Sequence, residues 1–429
     1  MRTHQKITGI AILLLSTIWF ETATLAQDAP LTFNVNTVAD LVDDNINDGL
    51  CHTSANTCSL RAAVMQANHS SAAQVVINLP RGTYALTLPP SAGDDETWGD
   101  LNLGVPLMDG QSVTINGAGA SSSIIDANYL YRAFKLGTGR VAYIANVTLR
   151  NGNPDQGGGG AIYMSGATLT LRDSIMENNR ASAGGAIDMS ESTLTIIRST
   201  IRANVATANG GAIILGGSLT IRNSTFYGNG ADTGGAISNF GLAVAVNSTF
   251  YQNYANTNGG AIFNANKVYL YNSSIVDNDA DHDRDELGGV GGGIFAQSNS
   301  TTAVVNTIVV DNTIEDAPIY NDCSGTLVGY GANLFSETSG CSIGGAWVTV
   351  PLGTIGSLQN NGGPTLTLQP HADSSAIDNS NDALGCVDET GAKLTIDQRG
   401  APRVFGPRCD IGAVEFGAVV DKIFKDGFQ

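Results

Sequence analysis

An acidic run, a set of arginines and two tyrosines are the residues of this 429-residue chain whose types and spacing suit chemistry. In DNDADHDRDELGGVG, Asp277, Asp279, Asp281, Asp283 and Asp285 alternate with other residues. In an extended segment that alternation gathers carboxylates on one side, as a hard divalent cation such as Ca²⁺ requires. The run departs from an EF-hand loop, because His282 or Arg284 stands where that loop needs glycine. Asp40, Asp43, Asp44 and Asp48 form a second, sparser acidic group.

Arg172, Arg198 and Arg222 each follow an apolar pair in successive segments, which predicts matching outward positions. Stacked cations about 5 Å apart repel by about 1 kcal/mol per pair unless anions intervene. A uronate or sulfated glycan would supply such anions, since the guanidinium fork matches carboxylate geometry. Asp173, Glu177 and Asp188 could equally satisfy these arginines from within the chain. Tyr227 and Tyr251 stand one period apart, with Arg202 in the register before them. Aromatic faces beside a cation suit a sugar-contacting groove, and they suit ordinary cross-strand packing as well.

General catalytic signatures are missing: the chain has no GxSxG, no HExxH and no P-loop. Beyond His4 it holds only His52, His69, His282 and His371, scattered among turn residues, so imidazole chemistry is thinly supplied. Glycoside hydrolysis wants two carboxylates bracketing one bond. The regular part of the chain offers Asp173, Glu177, Asp188 and Glu191, among which no dyad stands out. Asp397, Arg399, Asp410 and Glu415 lie in strand-like surroundings near the end, where an arginine among carboxylates is expected to satisfy buried charge.

The elements that would position these side chains are legible in a repeat. A Gly-Gly-small-Ile tetrad begins at Gly159, Gly184, Gly210, Gly234, Gly259 and Gly291, at intervals of 24 to 26 residues with one of 32. Each tetrad is followed by a hydrophobe three positions before an asparagine. The pairs read Ile175 with Asn178, Ile201 with Asn204, Phe226 with Asn229, Phe250 with Asn253, Ile275 with Asn278, and Val309 with Asn312. Self-similarity at this period marks a solenoid. Between tetrad and asparagine run alternating strands, such as Leu219 and Ile221 inward with Thr220 and Arg222 outward. Glycine supplies positive φ or close approach at corners, and stacked asparagines can form an amide ladder. The prediction is an all-β fold: a single-stranded right-handed parallel β-helix of roughly ten coils, each rising about 4.8 Å.

Around this array the chain divides further. Residues 1–26 have the basic start, apolar run and small-residue ending of a secretory signal. Residues 27–72 are expected to form an N-terminal cap whose helix spans Ser59 to Asn68. The β-helix is expected over 73–355, with regular repeats at 157–315. A β-rich cap over 356–416 is expected to close the far end, followed by a tail over 417–429. The six cysteines fall into local pairs, Cys51 with Cys58, Cys323 with Cys341, and Cys386 with Cys409, and export favours disulfides. A formal charge of −18 disfavours nucleic acid and anionic membranes as partners. No stretch of the mature chain is long and apolar enough to span a bilayer.

The GGAI and hydrophobe-x-x-Asn pattern resembles the repeat of chlamydial polymorphic outer membrane proteins, which implies a β-helix exported to a bacterial surface and an adhesin-like role. CSLRAAVMQAN resembles the CSLREA motif of secreted β-helix proteins, with Ala62 where that motif has glutamate. NNGGPTLTL, SSAIDN, DQRG and CDIGAVEF resemble the choice-of-anchor Q domain. After Phe416 only GAVVDKIFKDGFQ remains, too short for the translocator barrel such proteins carry, so another export route is expected. The expected function is non-catalytic contact with an extracellular polysaccharide or cell-surface component, at the outer membrane or beyond. A polysaccharide lyase or glycoside hydrolase acting on an acidic glycan, and a structural envelope protein, are the alternatives.

Overall fold

Alternating apolar residues need a surface on which to bury one face, and here each coil provides it for the next. The computed structural model describes residues 29–89, 96–104, 110–155, 157–283, 288–314, 319–381 and 385–420. The expected leader and the end of the tail lie outside them. Strand Ile213–Arg222 pairs in parallel with Ile187–Ile197 on one side and with Ile237–Asn239 and Leu242–Val246 on the other. Leu219 and Ile221 point inward and are buried. Repeated coil upon coil, this gives a parallel β-helix with three faces, sheets of 18, 11 and 7 strands among the described residues. One continuous apolar core runs from Phe33 to Phe335.

The corners explain the repeat. Gly234 adopts φ +63°, and a Cβ on Gly235 would lie 2.2 Å from the carbonyl oxygen of Gly260. Only glycine lets successive coils approach so closely there. The asparagines form a buried ladder, Asn179, Asn204, Asn229, Asn253, Asn278 and Asn312, each amide donating to the next side-chain oxygen at 2.9–3.0 Å. The first rung corrects the register predicted for it: Met176, not Ile175, aligns with Ile201, and Asn179 rather than Asn178 joins the ladder. Asn178 takes φ +55° at the surface. A parallel hydroxyl ladder of Ser174, Ser199, Ser224, Ser248 and Ser273 accepts backbone N–H groups at another corner.

At the N-terminal end, helix Leu60–His69 covers the first coil, its Ser59 hydroxyl accepting from the Ala62 N–H at 3.0 Å. Leu60, Ala63, Val64 and Ala67 close the core. Strand Leu31–Asn34 joins the sheet beside Gln74–Leu79. Disulfides link Cys51 to Cys58, Cys323 to Cys341, and Cys386 to Cys409. No helix among the described residues is long and apolar enough to cross a membrane.

The C-terminal region corrects the expectation of a far-end cap. It folds back along the flank of the solenoid, over the coils between Arg222 and Val310. Asn223, Asn247 and Asn272 donate to the carbonyls of Asp397, Ile396 and Val387. A second apolar cluster joins the outer faces of Val276, Ile308 and Val310 to Leu368, Ala376 and Ile411. Arg399 is ion-paired with Asp397 at 2.7 Å, and Glu415 accepts the Phe405 and Asp410 N–H groups. Burial nonetheless raises the Glu415 carboxyl to about 7.

Candidate functional site

The second sheet carries a single column of outward polar side chains. Asp126, Arg150, Glu177, Arg202, Tyr227 and Tyr251 stand in register on successive strands. Opposite charges alternate along the first four. Arg150 Nε lies 2.8 Å from Asp126, and Arg202 Nε lies 2.8 Å from Glu177. Arg202 Nη1 donates to the Tyr227 hydroxyl at 2.7 Å, its guanidinium 5.9 Å from that ring's centroid. Tyr251 packs against the second apolar cluster, and its hydroxyl is pushed upward by burial and by Asp277.

The structure divides the other arginines. Arg172 aligns with Ile197, and Ile197 with Arg222, so Arg198 is one residue out of their column. It occupies a corner at φ +46°, where the equivalent residues are Asp173 and Asn223. From there its Nε reaches Asp173 at 2.7 Å, while Arg172 Nε approaches the same carboxylate at 3.0 Å. Arg222 pairs with Glu389 of the flanking domain. No continuous cationic stripe results; these guanidinium groups are satisfied within the chain.

The acidic run is similarly dispersed. Asp277 sits at φ +56° and accepts from Gln252 at 2.8 Å. Asp279 lies in another sheet, with Thr313 and His282 each at 3.0 Å. Asp281 is buried and Asp285 lies outside the described residues. The chain bends at corners between these aspartates, so their alternation in sequence does not become one face. Among the described residues, Asp283 included, no three potential ligands converge as a cation site would need. In the first acidic group, Asp40 is spent on Arg61 at 2.7 Å and on two backbone N–H groups, and Asp43 on Gln66 and His52. Asp44 and Asp48 flank His52 at 2.5 and 3.4 Å.

Beside the polar column, where the second sheet turns into the third, lies an open cleft of about 300 Å³ lined by Tyr129, Asn153, Asn178, Arg180 and Val205. Tyr129 is 60% exposed and adopts φ +58°, directly after Asn128 at φ +55°. A bulky residue in the left-handed region is strained, and it is held there by hydrogen bonds from Tyr129 N–H to Asn151 and from Asn128 N–H to Asp126. Arg180 is exposed, and its guanidinium makes no hydrogen bond or ion pair with the described residues. Neither residue carries a periodic signal: the positions equivalent to Arg180 are Val205, Gly230, Tyr254 and Asp279. Sequence reading therefore passed over both.

A further polar cluster sits at the first sheet. Arg132 lies over the rings of Tyr131 and Tyr163, with centroids at 4.7 and 5.4 Å. Asp188 is nearby, its pKa raised by burial and partly restored by Arg132.

Residues 247–265, from a corner asparagine through one complete Gly-Gly-Ala-Ile tetrad, match the model of the Chlamydia polymorphic membrane protein repeat. A similar solved structure is the crystal structure of pectate lyase Pel9A, at 15% identity and a TM-score of 0.46, covering 90% of this chain and 97% of that one. No curated protein matches the chain.

Proposed function

We propose that this chain is an exported β-helix protein of a bacterial surface that binds an acidic extracellular polysaccharide without cleaving it, in the cleft between Tyr129 and Arg180. The observation that carries this reading is the contrast among arginines. Arg150, Arg172, Arg198, Arg202 and Arg222 all have carboxylate partners, whereas Arg180 presents its guanidinium to solvent beside an exposed, backbone-strained tyrosine. A guanidinium fork for a sugar carboxylate and a ring for the sugar's apolar face are the two contacts such a ligand needs. Asp126 and Glu177, in the polar column beside the cleft, are each held by an arginine, which argues against their acting as a hydrolytic pair.

Calorimetric titration with pectate, alginate, a glycosaminoglycan and a neutral glucan tests the reading. Binding is expected for acidic polymers only, weakened about ten-fold or more by Arg180→Ala, since a charged hydrogen bond contributes roughly 1.5–3 kcal/mol. Absence of binding across the acidic set would sink it. The lyase or hydrolase reading draws on Asp188, a half-buried carboxyl of raised pKa beside Arg132. New unsaturated or reducing ends appearing in the same mixtures, and disappearing in Asp188→Asn, would favour it instead.

A further inference from the structure

With the C-terminal region docked on the flank, no described residue pairs with the outer edge of the last coil's strands. Strand Cys341–Gly345 pairs with Gly325–Gly329 on one side, and Val348–Thr349 with Leu334–Phe335. Among the described residues neither has a strand on its other side. Ser342 and residues 344–349 are exposed; Trp347 lies edge-on to the core residue Phe335, 36% exposed, and Val348 is 52% exposed. An open edge is normally blunted by lysine, proline or an inward charge. Here residues 338–370 hold no acidic or basic side chain, and within the two strands there is no proline.

The opposite end differs. Helix Leu60–His69, with its Arg61–Asp40 ion pair, covers the first coil and prevents another solenoid from stacking there. Contact between two copies with a formal charge of −18 each is least repelled where charge is lacking, at the last coil. Two such edges related by a two-fold axis run antiparallel and can complete each other's backbone hydrogen bonds.

We infer that the last coil is a self-association edge: two copies of this chain meet tail to tail, their Cys341–Gly345 strands joining one antiparallel sheet and burying Trp347 and Val348. The contact is isologous and closes at a dimer. It is independent of the cleft and of any ligand.

Sedimentation equilibrium of the purified chain tests this. A single species of twice the chain mass is expected across the concentration range. Ser342→Lys with Val348→Lys places charge on an edge already exposed in the monomer, and should return the monomer mass while the circular dichroism spectrum stays that of the folded solenoid. Monomeric wild type at every concentration, a dimer that survives the double substitution, or mass growing beyond two chains would each overturn the inference.

Discussion

Asn312 donates both its side-chain amide and its backbone N–H to one carboxylate oxygen of Asp322, at 3.0 and 3.1 Å. The buried amide ladder therefore ends on an acid where every earlier rung ends on another asparagine. The second Asp322 oxygen accepts from Ser336 N–H and hydroxyl and from Glu337 N–H. Burial still wins over these donors and raises the Asp322 carboxyl from 3.8 to about 6.

A raised folded-state pKa means the fold holds this proton more tightly than the unfolded chain does. The stabilisation linked to Asp322 is fully present below about pH 4 and lost as pH rises through about 6, a change of roughly 3 kcal/mol. Asp322→Asn removes the titration. Denaturant unfolding at several pH values should show the difference between variant and wild type moving by about that amount between pH 4 and 7. A difference constant with pH would contradict it.

The corrected first rung makes a second prediction. Asn179→Ala removes the acceptor of the Gly152 N–H and the donor to Asn204, both buried, and should cost about 2–4 kcal/mol. Asn178→Ala, at an exposed position, should cost about 1 kcal/mol or less, from its left-handed backbone. Equal effects on the unfolding midpoint would restore the register read from sequence.

Two glycines separate conformational strain from steric contact. Gly228 has φ +62° with open space around it, so Gly228→Ala should cost about 1–2 kcal/mol. In Gly235→Ala the new methyl would meet the carbonyl oxygens of Gly260 and Tyr254 at 2.2 and 2.4 Å, and no rotamer relieves it. That variant should lose well over 3 kcal/mol or fail to fold. Circular dichroism melting of the pair decides it.

What could be read from the sequence followed from periodicity. The tetrads, inward hydrophobes and asparagines repeat because each coil sees only its neighbours, so one coil's solution is reused. Slips arose where two residue types competed for one position. Asn178 and Asn179 are adjacent, and Met176 stands where the later coils have isoleucine, phenylalanine or valine, so the count settled one residue early. Arg198 looked like Arg172 because each follows an apolar pair, yet Ser199, aligned with Ser174, places it at the corner. Tyr129, Arg180 and the flank docking belong to no period. They depend on contacts such as Gln398 with Thr225, 173 residues apart, that no local pattern encodes.

That docking should be separable from the solenoid itself. Gln398 bridges two coils, donating to Thr225 at 2.8 Å and accepting from Thr249 at 2.6 Å, while Arg403 donates to Asn272 at 3.1 Å. The apolar cluster beneath the domain is distinct from the main core. Gln398→Ala leaves two buried hydroxyls short of partners, and Arg403→Met removes the donor to Asn272, together costing about 3–5 kcal/mol of docking energy. The solenoid keeps its own core, so the double variant should melt in two steps. An early one would expose Val276 and Val310 to a hydrophobic dye, and a later one would match loss of the sheets. A single transition without early dye binding would show that domain and solenoid fold as one unit.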